Sequence, residues 1–285
     1  MSKLLKDRIA ITGSTGFVGK NLTKFFDKTN RNYISIRKTS FQRKNIPSFT
    51  RCHSMIHLIG IGDEIAKKSF DQINVEITKK AVMICKRSKI KRIVYFSGLG
   101  ASKNSSSKYF ISKFKSEQII KNSGLDYTIF RPSYIIGRDD YLTKNIQKQI
   151  KKKKILIPGS GNYIIQPISI VDVCKVINVA LNAKNFSKKT IDLVGPKKIS
   201  FKKFLENSVK SNEVLETMSL KKARIHAITK KNFPYGIEDL NILSGNFKGN
   251  HGKLEKLSGL KFIKIRSCLL YTSPSPRDQR GSRMA

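Results

Sequence analysis

The segment Thr12–Gly19, TGSTGFVG, constrains the fold of this chain more than any other stretch of it. It follows a short apolar run, Arg8–Thr12, and opens an amphipathic stretch from Phe17 to Phe26. In that order, strand, turn and helix put each glycine where a side chain would interfere. Gly13 permits the tight turn, Gly16 lets a ligand approach the backbone, and Gly19 lets the helix pack on the strand. The helix start offers free N–H groups and about half a positive charge. The turn, with Thr15, Phe17 and Val18, therefore reads as the seat of a dinucleotide pyrophosphate. A tight turn without a ligand is the plainer alternative.

The rest of the chain extends the pattern. Tyr33–Ile36 reads as a second strand, Met55–Ile59 as a third, Phe70–Lys86 as a helix and Arg92–Phe96 as a strand. Tyr109–Lys121 is a helix ended by Gly124, and Tyr127–Phe130 a further strand. Strands alternating with helices imply an α/β fold, a Rossmann-type doubly wound parallel sheet. Beyond Ile155 the alternation loosens into a small C-terminal substrate region. The expected division is a dinucleotide-binding domain over 1–154 and a smaller region over 155–267, some of whose strands return to the sheet. Only eighteen positions separate Arg37 from Met55. A single crossover takes about 10–12 residues, so a third classical strand or its flanking helix should be vestigial there.

The net charge of +38 is mostly lysine, scattered through every segment with many Ile and Asn residues, as A/T-favouring codon usage produces. No element interleaves Arg with aromatic residues as nucleic-acid binders do, so nucleic acid is not expected as a partner. A smeared positive potential suits weak association with an anionic membrane, with Lys151–Lys154 the best local candidate and a solvated loop the plainer reading. No run nears the roughly 18 apolar residues of a membrane helix. Met1–Arg8 leaves no room for a signal peptide, so a cytoplasmic location is expected, or a peripheral one at the inner membrane face. Cys52, Cys85 and Cys174 are widely spaced and imply neither a disulfide framework nor a metal site. The last nineteen residues contain no lysine, and Cys268–Asp278, CLLYTSPSPRD, resembles translated read-through of a sequencing-library adapter. The segment 268–285 is thus read as non-native and the authentic sequence as truncated near Arg266.

An NAD site usually places Asp or Glu about 20 residues past the turn. Here the second strand ends in Arg37, Lys38, Thr39 and Ser40, groups suited to a 2′-phosphate, so NADP(H) is favoured over NAD(H). Tyr109 and Lys113, at i and i+4, share a helix face, and Ser97 closes the preceding strand. A Lys charge about 4 Å from the phenol, worth roughly 4 kcal/mol at an effective dielectric near 20, would draw the tyrosine from about 10 towards 7. Such a tyrosine relays a proton to a carbonyl during hydride transfer, with Ser97 hydrogen-bonding the same oxygen. The plainer reading is an exposed Tyr/Lys pair.

TGxxGxxG, HLIG at 57–60, Asn74, SGLGA, YxxxK and RPSYIIG together resemble the extended and atypical short-chain dehydrogenase/reductase superfamily, the NAD-dependent epimerase/dehydratase type. The blocks LDYTIFRPSYIIGRDD and PGSGNYIIQPISIVDVCKVI look like the subfamily of the NAD(P)-binding accessory subunit of respiratory complex I and its bacterial relatives. The resemblance implies Gly13, Gly16 and Gly19 at the pyrophosphate, Arg37 at the 2′-phosphate, and Leu58 and Gly60 beside adenine and ribose, supported by Asn74. It puts Ser97, Tyr109 and Lys113 around the nicotinamide and its ribose, with Pro132 and Ser133 passing the amide. Arg131 would be a structural charge and Asp172 the cap of the helix after it. Two functions stay open: an accessory or assembly-type nucleotide-binding protein linked to complex I or quinone metabolism, or an active reductase, epimerase or dehydratase on a sugar nucleotide or other polar carbonyl substrate.

Overall fold

The computed structural model describes residues 8–41, 49, 51–62, 64, 69–209 and 214–265. β1 (Arg8–Thr12) turns into α1 (Phe17–Lys28), and β2 (Tyr33–Ile36) returns parallel to β1 on one side. β3 (Cys52–His57) pairs with β1 on the other side, followed by α2 (Glu76–Arg87), β4 (Arg92–Phe96), α3 (Lys108–Lys121) and β5 (Asp126–Pro132). Next come β6 (Ile135–Ile136), α4 (Tyr141–Ile150), β7 (Lys154–Pro158), β8 (Ile164–Ile165), β9 (Ile168–Ser169) and α5 (Ile170–Ala180). β10 (Lys189–Leu193) joins the main sheet beside β5. After it lie β11 (Ile199–Ser200), α6 (Phe201–Glu206), β12 (Val214–Met218), α7 (Leu220–Thr229), α8 (Ile237–Ser244) and α9 (His251–Ser258).

The main sheet has six parallel strands in the order β10-β5-β4-β3-β1-β2. The chain leaves β1 towards one edge and then crosses to the other side, which opens a crevice at the C-terminal ends of β1 and β3. Side chains alternate across the sheet as the strand period requires. Ile9, Ile11, Ile56, Val94, Phe96 and Phe130 pack with α1, α5 and α9 through Leu22, Phe26, Ile177 and Leu254. Ala10, Met55, Ile93, Tyr95 and Ile129 face α2 and α3 through Ala81, Ile84 and Ile120. Each fully buried large apolar side chain contributes roughly 1.5–3 kcal/mol, so the two layers hold the crevice floor rigid. A separate apolar cluster, including Ile146, Ile157, Phe204 and Leu240, joins α4, β7, α6 and α8.

One difference from the sequence reading has a physical cause. The third strand runs over Cys52–His57 rather than Met55–Ile59. Its small and polar residues Cys52, Ser54 and His57 are buried between neighbouring strands, which a hydropathy pattern does not register. After β2, where a further crossover and strand would usually come, a short 3-10 turn, Lys38–Phe41, buries Phe41 against the sheet. Lys80 Nζ holds that turn by donating to the Phe41 carbonyl at 2.7 Å. The tail 268–285 and the start of the chain before Arg8 lie outside the described residues.

Candidate functional site

The glycine turn is built as its spacing requires. Gly13 has φ +71°, and the Gly16 N–H donates to its carbonyl at 3.0 Å. A Cβ on Gly19 would stand 2.2 Å from the Gly13 oxygen and 2.6 Å from Ser14 Cα, so only glycine lets α1 sit on the turn. A Cβ on Gly13 would lie 3.0 Å from the Leu58 backbone, which presses the turn against the loop after β3. Gly16 caps α1 without a side-chain hydrogen bond, and the first helical turn holds no acidic residue. Its N–H groups are thus aimed at the crevice mouth without a carboxylate to compete, and the cradle fits a pyrophosphate. Thr15 is exposed there and Phe17 half-buried. Val18 packs on the core instead, leaving only its backbone at the mouth.

A hydrogen-bonded chain fixes the crevice floor. Thr12 Oγ1 lies 2.7 Å from His57 Nδ1, and His57 Nε2 lies 3.1 Å from Thr78 Oγ1, whose own proton goes to the Asn74 carbonyl at 2.6 Å. Thr78 must therefore accept from Nε2–H, which leaves Nδ1 to accept from Thr12 and makes the ring neutral. Burial, reinforced by the nearby Lys113 charge, pulls the His57 pKa down to about 3. Asn74 grips the Ile61 backbone in both directions, at 2.9 and 3.3 Å, and reaches Ser112 at 2.9 Å. Gly60 is open to the crevice, and a Cβ there would meet Lys113 Nζ at 2.9 Å. Leu58 is half-buried against the core. Arg37 stands exposed at the end of β2, and the side chain of Lys38 lies outside the described residues.

Tyr109 and Lys113 share one face of α3, whose N-terminus is capped by Ser107 accepting from the Phe110 N–H. Lys113 Nζ donates to the Phe96 carbonyl at 2.9 Å and lies 5.8 Å from the centre of the Tyr109 ring. The expected acidic tyrosine is not found. Burial, with Phe70 and Phe110 packed against the ring, pushes Tyr109 up to about 12. Burial also draws Lys113 down to about 8, opposed by the charge of Glu117.

The Ser97 proton is committed to a carboxylate rather than free for a substrate oxygen. The residue is 2% exposed and donates to Glu117 Oε1 at 2.6 Å. Glu117, fully buried, also accepts from Arg131 Nε and Nη2 at 2.8 and 2.7 Å. Arg131 is thus a structural charge, as its position implies. Leu99, two residues on from Ser97, lines the cavity beside Tyr109. Sequence reasoning missed Glu117, although it stands four residues after Lys113 on the same helix face, and missed His57 inside the HLIG block. Asp172 does not cap α5. Ser169 does so by accepting from the Val171 N–H at 3.2 Å, while Asp172 Oδ2 accepts from the Ile263 N–H at 2.8 Å and ties down the C-terminal segment.

Beside Tyr109 opens a cavity of about 310 Å³, walled by Phe17, Leu99, Pro132, Ser133 and side chains of the C-terminal region. Pro132 and Ser133 thus stand in the same cavity wall as Tyr109. Among the described residues no group of three His, Cys, Asp or Glu side chains could hold a metal ion, and no helix is long and apolar enough to cross a membrane.

Similar proteins place the chain in a family. Subunit 9 of the NADH dehydrogenase [ubiquinone] 1 alpha subcomplex of Arabidopsis thaliana mitochondria is 33% identical over 149 residues, 51% of this chain and 37% of that protein. The NADH-ubiquinone oxidoreductase 40 kDa subunit of Neurospora crassa is 23% identical over 208 residues, 69% of this chain and 53% of that protein. The aligned part is thus about half or less of those relatives' length. A nucleoside-diphosphate-sugar epimerase of Staphylococcus aureus shares the fold at TM-score 0.70 and 15% identity, covering 92% of this chain and 99% of that one. A UDP-glucuronic acid 4-epimerase of Bacillus cereus, solved with UDP-glucuronic acid and NAD, shares it at TM-score 0.65 and 17% identity, covering 90% and 95%. The model of the NAD dependent epimerase/dehydratase family matches residues 9–194, strand β1 through β10, and the chain belongs to that family.

Proposed function

We propose that this chain holds NADP(H) as a bound accessory nucleotide and does not turn it over efficiently. The observation that carries this is the pairing of Ser97 with Glu117 and the presence of Leu99 at the cavity wall. A carbonyl oxygen beside Tyr109 would then have one hydroxyl rather than two, and that hydroxyl is held by burial far from the acidity that proton relay at neutral pH requires. Preference for the 2′-phosphate rests on Arg37, Lys38, Thr39 and Ser40 and on the lack of an acidic residue among them. Gly13, Gly16 and Gly19 would hold the pyrophosphate, Leu58 and Gly60 would line the adenine and ribose side with Asn74 in support, and Tyr109 and Lys113 would stand at the nicotinamide and its ribose.

Likeness to complex I subunits supports a place in a respiratory or other membrane-associated assembly. A surface feature points the same way. On α7, Ile225 and Ile228 are 52% and 76% exposed, among the exposed cations Lys221, Lys222, Arg224 and Lys230. That combination suits a peripheral contact with an anionic membrane, weakened as salt rises.

The alternative, an active reductase, epimerase or dehydratase, is favoured by Tyr109 at the cavity wall with Lys113 on the same face of α3. The deciding experiment follows NADPH oxidation with a panel of aldehydes, ketones and sugar nucleotides. The accessory reading expects no turnover above background. Turnover that disappears in Tyr109→Phe would overturn it and establish the enzyme.

A further inference from the structure

We infer that the cavity beside Tyr109 receives a neutral molecule with a largely apolar body, and not a sugar nucleotide. This deepens, and rests on, the reading that a nicotinamide dinucleotide fills the adjoining crevice. The walls carry the inference. Leu99, Phe110, Ile135, Leu142, Ile165 and Phe247 present hydrocarbon to a volume of about 310 Å³, at the lower end of the range of small-molecule sites. Across the chain 57 of 285 residues are Lys or Arg, one in five, yet none of the sixteen lining residues is a cation.

The one charged lining side chain is Asp140, and it is already engaged. Its Oδ1 accepts from the Thr143 N–H at 2.8 Å and its Oδ2 from the Gly137 N–H at 3.1 Å. A diphosphate placed here would be stripped of water beside a carboxylate with no cation to receive it. The polar lining residues other than Asp140 are uncharged: Tyr109, Ser133, Tyr134 and Tyr141. Two of their hydroxyls are already engaged, Tyr141 with Asp239 at 3.0 Å and Ser133 with the Gln166 N–H at 3.3 Å, which suits a ligand with little polar surface.

The apolar wall is built in rather than incidental. Phe247 packs edge-on to Phe110 with ring centres 4.9 Å apart. It fits against two glycines that leave no room for a Cβ: one on Gly245 would stand 2.1 Å from the Phe247 ring, and one on Gly100 would stand 2.7 Å from it. The aromatic ring thus closes the cavity from the C-terminal region, and a ligand's apolar body would lie between it and the nicotinamide end.

Calorimetric titration of the NADPH-loaded full chain with 1-decanol and, separately, with UDP-glucose tests this. Saturable decanol binding is expected, with no saturable binding of UDP-glucose. Ile242→Glu, which places a charge in the wall, and Ile164→Trp, which fills the space, should each weaken decanol binding by at least about tenfold. Both should leave NADPH affinity and the thermal midpoint close to wild type. UDP-glucose binding more tightly than decanol, or both variants binding decanol as wild type does, would overturn the inference. A chain that binds decanol but no NADPH would overturn the cofactor reading instead.

Discussion

His57 makes a quantitative claim about acid stability. The ring is fully buried, stacks on Tyr95 at 5.6 Å between centroids, and is locked between Thr12 and Thr78. Unfolded, it takes up a proton below about pH 6.5. Folded, it does so only near pH 3, because burial and the Lys113 charge disfavour the cation. The unfolded chain therefore binds more protons throughout that window. The contribution of His57 is fully present above about pH 6.5 and is lost progressively as pH falls towards 3. Between about pH 7.5 and pH 5 the loss is roughly 1.5 pKa units, or about 2 kcal/mol at 1.36 kcal/mol per unit. Urea denaturation of wild type and His57→Gln at the two pH values isolates this term, since every other titrating group is common to both. Wild type should lose about 2 kcal/mol more than the variant over that interval. A stability difference between the two proteins that does not change with pH would refute the neutral, buried imidazole.

Other expectations follow from single contacts. Ser97→Ala removes a hydrogen bond to a buried carboxylate and should cost about 1.5–3 kcal/mol in urea midpoint terms while leaving NADPH affinity unchanged; a selective loss of affinity would return Ser97 to the cofactor site. Gly19→Ala would drive a methyl into the Gly13 carbonyl 2.2 Å away, and equilibrium binding should show nucleotide affinity falling by at least about tenfold. Gly60→Val should displace Lys113 and weaken NADPH binding with little change in the thermal midpoint, read from nucleotide fluorescence and calorimetry. Ile228→Asp, at a 76% exposed position, should reduce sedimentation with anionic vesicles at low salt and leave neutral vesicles unbound as before.

Much of this was readable because some requirements are local. The glycine turn depends on where a Cβ cannot fit, and the spacing of Gly13, Gly16 and Gly19 states that directly. Tyr109 and Lys113 share a face because the helix repeat puts them there. The helix repeat says nothing about depth, however, and depth is what moves Tyr109 up to about 12 rather than down. Ser97 finds its partner twenty residues on, across a strand–helix interface, which no local pattern encodes. His57 reads as one polar residue in an apolar run, and only its two threonine partners, 45 residues before it and 21 after, explain it. The cavity wall likewise assembles Leu99 with Ile165, Ile242 and Phe247, contributed by separate elements with no motif of their own. Asp172 shows the converse: an acidic residue in the first turn of α5 looks like a cap, but Ser169 already holds that place.

The central claim is that the Gly13–Gly19 turn holds a nicotinamide dinucleotide as a lasting part of the protein. Its most direct test is the exchange of bound NADPH against excess non-fluorescent NADP+, followed as the loss of bound-NADPH fluorescence from purified protein. Retention through purification with exchange over hours is the expected result. Exchange within seconds would contradict the accessory role, and no binding at all would contradict the site itself.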